Sequence, residues 1–331
     1  MFSMQPDGKE EPRGHAYLWL GRNTSDLQSG KGAFILEKEK LAQQLANVSG
    51  SVIFSSEHFS WVFDEGELIQ FHKALRTYFA QVKVIIYLRR QDRQLISHFQ
   101  QSEKDRHSWG RSFYGTSTKA IPDFEPHFDN YLNYHQRLKI WSNVFGKKNI
   151  IPRVFEASQL QNSDVIDDFC QLLGIGRIEK LRMNEAIGQL EKHFYHLLEE
   201  AQFPHGHLRR TLIQNLQRSP QALPSKKQAI AIYERYRDSN RQLNTEFGIS
   251  SLPALFKEDF SFYPEVSMNG WRADQADEAV RTLLVLLRQL DEDSFLNIRR
   301  NLRWKQSLTR RLSRIWAFHP KAKGTDLKKS R

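Results

Sequence analysis

Two rhythms of apolar and polar positions run along this chain. From Asp64 to Phe79, Leu68, Phe71, Leu75 and Phe79 recur at helical spacing and predict an amphipathic helix. The apolar run Val84-Ile85-Ile86-Tyr87-Leu88 lacks that period and reads as a buried parallel strand over 83–88, with a helix from about Arg93. Ser51–Ser55, entered through Gly50, predicts a further short strand. Tyr131–Phe145 predicts a helix stopped by Gly146. Asn149–Phe155 predicts a strand, and Pro152 makes it an edge or bulged one. Helices follow near 164–173, 187–201 and 226–247, the last capped by Ser225 with Gln228 and ended by Gly248. An apolar-rich helix is expected over 273–290 and a basic amphipathic one over 295–316, with Lys321–Arg331 disordered. Strand and helix alternate, which indicates an α/β fold with a mainly parallel sheet flanked by helices and an α-rich C-terminal half. The expected organisation is a flexible start over 1–14, an α/β domain over 15–260 and a basic helical extension over 261–331.

Composition supports a packed core: 39% of the 331 residues are apolar and 12% aromatic. The single cysteine, Cys170, excludes an intrachain disulfide and a multi-cysteine metal site, and its apolar setting reads as a packed thiol. His193, His196, His205 and His207 lack a metal-binding frame and read as solvent-facing. No apolar run reaches the roughly 20 residues of a membrane span, and the first residues lack a secretory h-region, so a cytoplasmic location is expected. The net charge of +11 is local. Between Ser294 and Arg331, twelve Lys and Arg stand against the one acid Asp326, so residues 1–293 balance. That tail is a solvated appendage or a contact for an anionic surface such as a membrane. No recognised nucleic-acid module is present.

The candidate chemistry lies at the end of the apolar strand. Arg89 and Arg90 stand at its carboxyl end, where open α/β sheets bind ligands, and Ser97 follows about two turns into the next helix. A guanidinium fork and a hydroxyl converging there suit a phosphate. Between Ser102 and Asn130 lies a long polar segment with Trp109, Phe113 and Tyr114, which reads equally as a sugar-stacking lid or as a loop anchored to the core.

Several segments resemble the bacterial sulfotransferase-like proteins related to carbohydrate sulfotransferases: Ile53–Phe59, Val84–Ser97, Trp141–Ile150, Asp168–Ile175 and Tyr236–Asn240. The likeness covers roughly Gly14 to Phe256. It implies a P-loop NTPase-like three-layer fold and transfer of a sulfuryl group from 3′-phosphoadenosine 5′-phosphosulfate (PAPS) to a hydroxyl or amine of a glycan-type acceptor. In that family an arginine and a serine spaced as Arg89 and Ser97 hold the donor's 3′-phosphate. The acid/base residue falls where Glu57 and His58 stand. Carbohydrate sulfotransferases often use Glu there, so Glu57 is the preferred base.

The chain departs from the family at its start. Relatives open with a strand and a Lys-x-Gly-Thr-Thr type loop around the phosphosulfate; Ser29-Gly30-Lys31-Gly32 lacks phosphate-loop spacing and reads as a turn. The expectation is therefore a fold missing its first strand, with marginal stability and weak activity. A milder departure is Asn184-Glu185-Ala186-Ile187, where relatives often show Asn-x-Ser-Leu. The alternative function is a non-catalytic nucleotide- or polyanion-binding protein with a membrane-associating tail.

Overall fold

Two parallel strands organise the molecule. In the computed structural model, the described residues are 3–4, 10–11, 20–22, 34–46, 50–105, 112–115, 117, 119–176, 188–201, 207–216, 219–270, 272–285 and 287–288. The expected helix at 295–316, the disordered end, most of 1–14, Ser29–Gly32 and Asn184–Ile187 lie outside them. The chain forms two compact units, residues 1–203 with 218–271, and residues 204–217 with 272–331. The first unit thus extends past the expected boundary at 260. The physical reason is hydrogen bonding: Met268 N–H donates to Leu223 O at 2.8 Å, and Gln189 Nε2 donates to Gly270 O at 2.7 Å.

The first unit begins with two short antiparallel pairs. Ser3–Met4 (β1) pairs with Glu10–Glu11 (β2), and Leu20–Arg22 (β3) pairs with Phe34–Leu36 (β4). Lys38–Leu45 (α1) and Glu65–Arg76 (α2) follow. Asp64 caps α2 by accepting from Glu67 N–H at 3.0 Å. Then comes the parallel sheet. Val84–Leu88 (β5) pairs in parallel with Ile150–Val154 (β6), with Val84 opposite Ile150 and Leu88 opposite Val154. Pro152 sits opposite Ile86; β5 is the one strand that pairs with β6 among the described residues, so Pro152 lies in an edge strand as its missing N–H requires.

Ser51–Ser55, expected as a strand, takes no regular secondary structure, nor does Ser56 after it. A strand exists through its ladder, and no described strand hydrogen-bonds to this segment. Val52 and Phe54 still pack on the core, and Phe54 meets Phe79 edge-on at 6.2 Å.

Gln91–Asp105 (α3) begins two residues earlier than the apolar pattern indicates. The expected single helix at 131–145 is two: Phe128–Leu132 (α4) and Tyr134–Phe145 (α5). Asn133 separates them because its side chain accepts from Gln136 N–H at 3.2 Å and caps α5. Val165–Leu173 (α6) is capped by Asp164 and ends on Gly174 at φ +64°, a left-handed conformation that favours glycine. Gln189–Glu200 (α7) packs on α3. In the second unit, His207–Gln214 (α8) is helical. Back in the first unit, Lys226–Phe247 (α9) carries the full capping box of Ser225 and Gln228.

The core of the first unit joins Leu68, Phe71 and Leu75 of α2, Leu95 and Phe99 of α3, Leu138 and Trp141 of α5, and Tyr233 and Leu243 of α9. One polar pair interrupts it. Gln91 Nε2 donates to Asn240 Oδ1 at 2.7 Å and Asn240 Nδ2 donates back to Gln91 Oε1 at 3.0 Å, with both residues fully buried. Phe113 and Tyr114 belong to this core rather than to an open lid. Phe113 meets Trp61 edge-on at 5.0 Å and stacks on Phe128 at 5.3 Å. Trp109 lies outside the described residues. Cys170 is buried, as its apolar neighbours predict.

His193 corrects a sequence expectation. It lies on the buried face of α7, between Lys192 and Phe194, rather than in solvent. His196 is half-buried and meets Glu200 at 3.1 Å. Burial first, then the charges of Lys192 and His196, lower the His193 imidazole from its usual 6.5 to about 4, against a backbone contact with Gly270. The folded state thus resists a proton that the unfolded chain accepts below 6.5. Stability therefore falls as pH drops from about 6.5 towards 4. In His193→Gln the pH dependence of the urea midpoint in that window should be shallower; an unchanged slope would remove this residue from acid sensitivity.

Candidate functional site

The two arginines at the carboxyl end of β5 part company. Arg90 turns into the core and is 1% exposed. Its Nε meets Asp92 Oδ1 at 2.8 Å and its terminal nitrogen meets Oδ2 at 3.0 Å. It also donates to the carbonyls of Lys257 and Asp259 at 2.6 and 2.8 Å and lies 4.1 Å above the Phe260 ring. Burial opposes its charge, yet Asp92 outweighs burial and holds the guanidinium above its ordinary pKa. Asp92 takes a further hydrogen bond from the Tyr263 hydroxyl at 2.5 Å. Burial and the Asp92 charge raise that tyrosine's pKa. Arg90 is thus structural: it fastens residues 257–263 to the start of α3.

Arg89 points the other way. Its carbonyl accepts from the Tyr134 hydroxyl at 2.7 Å, which fixes the backbone where the strand ends. Its guanidinium packs 5.7 Å from the Phe155 ring and lines a cavity of about 140 Å³. Ser97 lines the same cavity, and so does Arg93, which the sequence reading passed over. Arg89, Arg93 and Ser97 stand at i, i+4 and i+8, so one side of α3 and its leading residue presents all three. That spacing was the available signal. Ile96, Leu223 and Phe262 add apolar wall, and Gln221 and Tyr263 add polar atoms.

Among the described residues neither Arg89 nor Arg93 makes an ion pair, and the Ser97 hydroxyl makes no hydrogen bond. The Nε of Arg93 is buried with no partner. Arg93 instead lies 5.9 Å from the Phe262 ring. Burial first and the nearby Arg93 charge second lower the Arg89 pKa. Two cations in one small, partly apolar cavity, with an orphan buried N–H, create a positive field that an anion satisfies.

The far wall is held by short polar ties. Gly188 forms an antiparallel bridge with Gln221, and Gln221 Nε2 donates to Gln100 Oε1 at 2.8 Å. Gln100 Nε2 in turn donates to Ala222 O at 2.8 Å. Position 188 needs glycine because an added Cβ would fall 2.5 Å from Ser219 O.

Glu57 and His58 open a 3-10 turn, Glu57–Trp61. Glu57 is exposed and is not among the residues that line the cavity, and the side chain of His58 lies outside the described residues. The structure therefore brings Arg89 and Ser97 together in one cavity lining, which does not include Glu57. A second hollow, lined by Asp167, Cys170 and Gln171, lies on α6.

No protein-family model matches the chain. No solved structure matches it. It is similar to a protein of Archaeoglobus fulgidus described as an uncharacterized protein, with 28% identity over 224 residues, 64% of this chain. The chain spans 58% of that relative's length.

Proposed function

We propose that the Arg89, Arg93 and Ser97 cavity binds the 3′-phosphate of PAPS and that the chain is a sulfotransferase acting on a glycan-type hydroxyl or amine. The supporting observation is a pair of guanidiniums that, among the described residues, have no carboxylate partner, beside a hydroxyl that makes no hydrogen bond among them. Charge-assisted donors of this kind match the oxygens of a phosphate monoester. The volume supports the same reading. At about 140 Å³ it is below the ~300–1,000 Å³ of sites that enclose a whole small molecule. It suits one terminal group of a ligand whose remainder lies outside. The parallel pair β5–β6, with α3 following β5, is compatible with a P-loop NTPase-like sheet.

In the proposed reaction the acceptor oxygen attacks sulfur and the sulfur–oxygen bond to the 5′-phosphate breaks. Adenosine 3′,5′-bisphosphate leaves, and a base takes the acceptor's proton. Glu57 fills that last role through the resemblance alone. A second reading is a protein that binds the nucleotide without turnover, since the observations that support the site concern binding alone. Calorimetry with adenosine 3′,5′-bisphosphate against adenosine 5′-monophosphate tests the site. The expected result is binding that needs the 3′-phosphate; equal affinity for the two would overturn the assignment. The catalytic half is tested by labelled sulfuryl transfer from PAPS. Glu57→Gln is expected to lose turnover with binding kept. Transfer by Glu57→Gln at the wild-type rate would move the base role to His58 or elsewhere, and no transfer by the wild type would favour the binding reading.

A further inference from the structure

Two stretches of the first unit contain no acid: residues 68–91 and 130–155. At the chain's average of 38 acids in 331 residues, about six would stand in those 50 positions. The fold brings the two stretches together. Val84 pairs with Ile150 where β5 and β6 both begin, and Gln81 Nε2 donates to Asn149 Oδ1 at 3.5 Å. The His72 ring of α2 lies 4.6 Å from that of Phe145, the last residue of α5. The amino end of the sheet thereby gathers Lys73 and Arg76 from the last turn of α2, Lys83 from the position before β5, and Lys147 and Lys148 from the 3-10 turn before β6. All five are exposed, and none of them makes an ion pair with a described residue. Two of them are placed by neighbours: Arg76 donates to Phe79 O at 3.2 Å, and the Lys147 ammonium lies 5.6 Å from the Phe247 ring. Burial first and the Arg76 charge second lower the His72 pKa, in keeping with a positive surface here.

This patch lies at the end of the sheet opposite Arg89, and neither cavity described above includes any of the five. Cations spread over three segments, rather than converging in a hollow, suit a long ligand with repeated negative charges and not one small anion. Lysine outnumbers arginine four to one, and a single ring, Tyr78, stands among them at 45% exposure. Surfaces for nucleic acid add arginine forks and several rings on which successive bases stack. Separate ammonium groups beside one flat ring instead suit carboxylate or sulfate groups along a sugar chain. We propose that the amino end of the sheet is a docking surface for an acidic polysaccharide. The lysines meet its anionic groups and Tyr78 offers a face to a sugar ring. This surface acts without the donor cavity, so it stands or falls apart from the sulfuryl-transfer reading.

The test is lysine acylation of the full chain, read residue by residue by mass spectrometry, with polygalacturonate, neutral dextran, duplex DNA or phosphatidylserine vesicles. Reading each lysine separately keeps the cations of 294–331 out of the result. Polygalacturonate should slow acylation of Lys83, Lys147 and Lys148 about fivefold or more at about 0.05 M salt, with the protection lost near about 0.5 M, since screening acts within a Debye length. Dextran should protect none of them. Lys227, exposed at the end of α9 away from Phe247, should react at one rate throughout. In the variant Lys83→Gln, Lys147→Gln, Lys148→Gln, which changes exposed side chains and should keep the wild-type circular dichroism, the protection of Lys73 should disappear. Arg89→Ala should be protected as the wild type is, which separates this surface from the nucleotide cavity. Three outcomes would overturn the proposal: no protection of the three lysines by polygalacturonate, full protection of Lys73 in the triple variant, or stronger protection by DNA or vesicles at equal charge.

Discussion

Asp92→Ala should lower the unfolding free energy by about 3–5 kcal/mol, the usual cost of leaving a buried charge without its partner. Asp92 is fully buried and holds Arg90 by two contacts and Tyr263 by a third. Removing it leaves a guanidinium in the core beside Phe260 with only the Lys257 and Asp259 carbonyls for company. Against a typical total of about 5–15 kcal/mol, that loss is large. A urea midpoint read by circular dichroism measures it. A loss below about 1 kcal/mol would mean that water reaches Arg90. The pair of substitutions Arg90→Met and Asp92→Leu removes both charges. Such replacements are often neutral, but here the carbonyls of 257 and 259 lose their donor too, so recovery should be partial.

The second large effect is on ligand affinity. Arg89→Ala should weaken adenosine 3′,5′-bisphosphate binding by roughly 1.5–3 kcal/mol, the range for a hydrogen bond to a charged group. That corresponds to about ten- to 150-fold in Kd. Arg93→Ala should act in the same direction, since its buried Nε also lacks a partner. Calorimetry at constant salt is the measurement. The circular dichroism of Arg89→Ala should be unaltered, because the guanidinium makes no ion pair among the described residues. Unchanged affinity in both variants would remove the phosphate from this cavity. Arg90→Ala provides the contrast: its loss should appear first as instability.

Much of the scaffold was legible because its signals are local. The capping box at Ser225 and Gln228, the helix near 164–173 and the Val84–Leu88 run all stand in the structure within a residue or two of where the pattern puts them. What failed depends on contacts distant in sequence. Residues 51–56 have strand composition, but strand identity belongs to a pair, and no described ladder includes them. His193 and Lys192 look like surface residues of an amphipathic helix, yet α3 covers that side of α7. Arg89 and Arg90 are adjacent and chemically equal, and only tertiary partners decide which enters the core and which faces the cavity. Arg93 could have been found, since its place midway between Arg89 and Ser97 follows from helical geometry alone.

The mutual amides of Gln91 and Asn240 bear on how that cavity keeps its shape. Two amides bonded in both directions satisfy each other at one rotation of α3 about its axis, and any twist breaks both contacts at once. Since Gln91 opens the helix that carries Arg93 and Ser97, the interlock sets the bearing of the anion-facing side before any ligand arrives. Less orientation is then left for an arriving anion to impose, so affinity at this end of the sheet should depend on a pair of neutral side chains that never touch the guest.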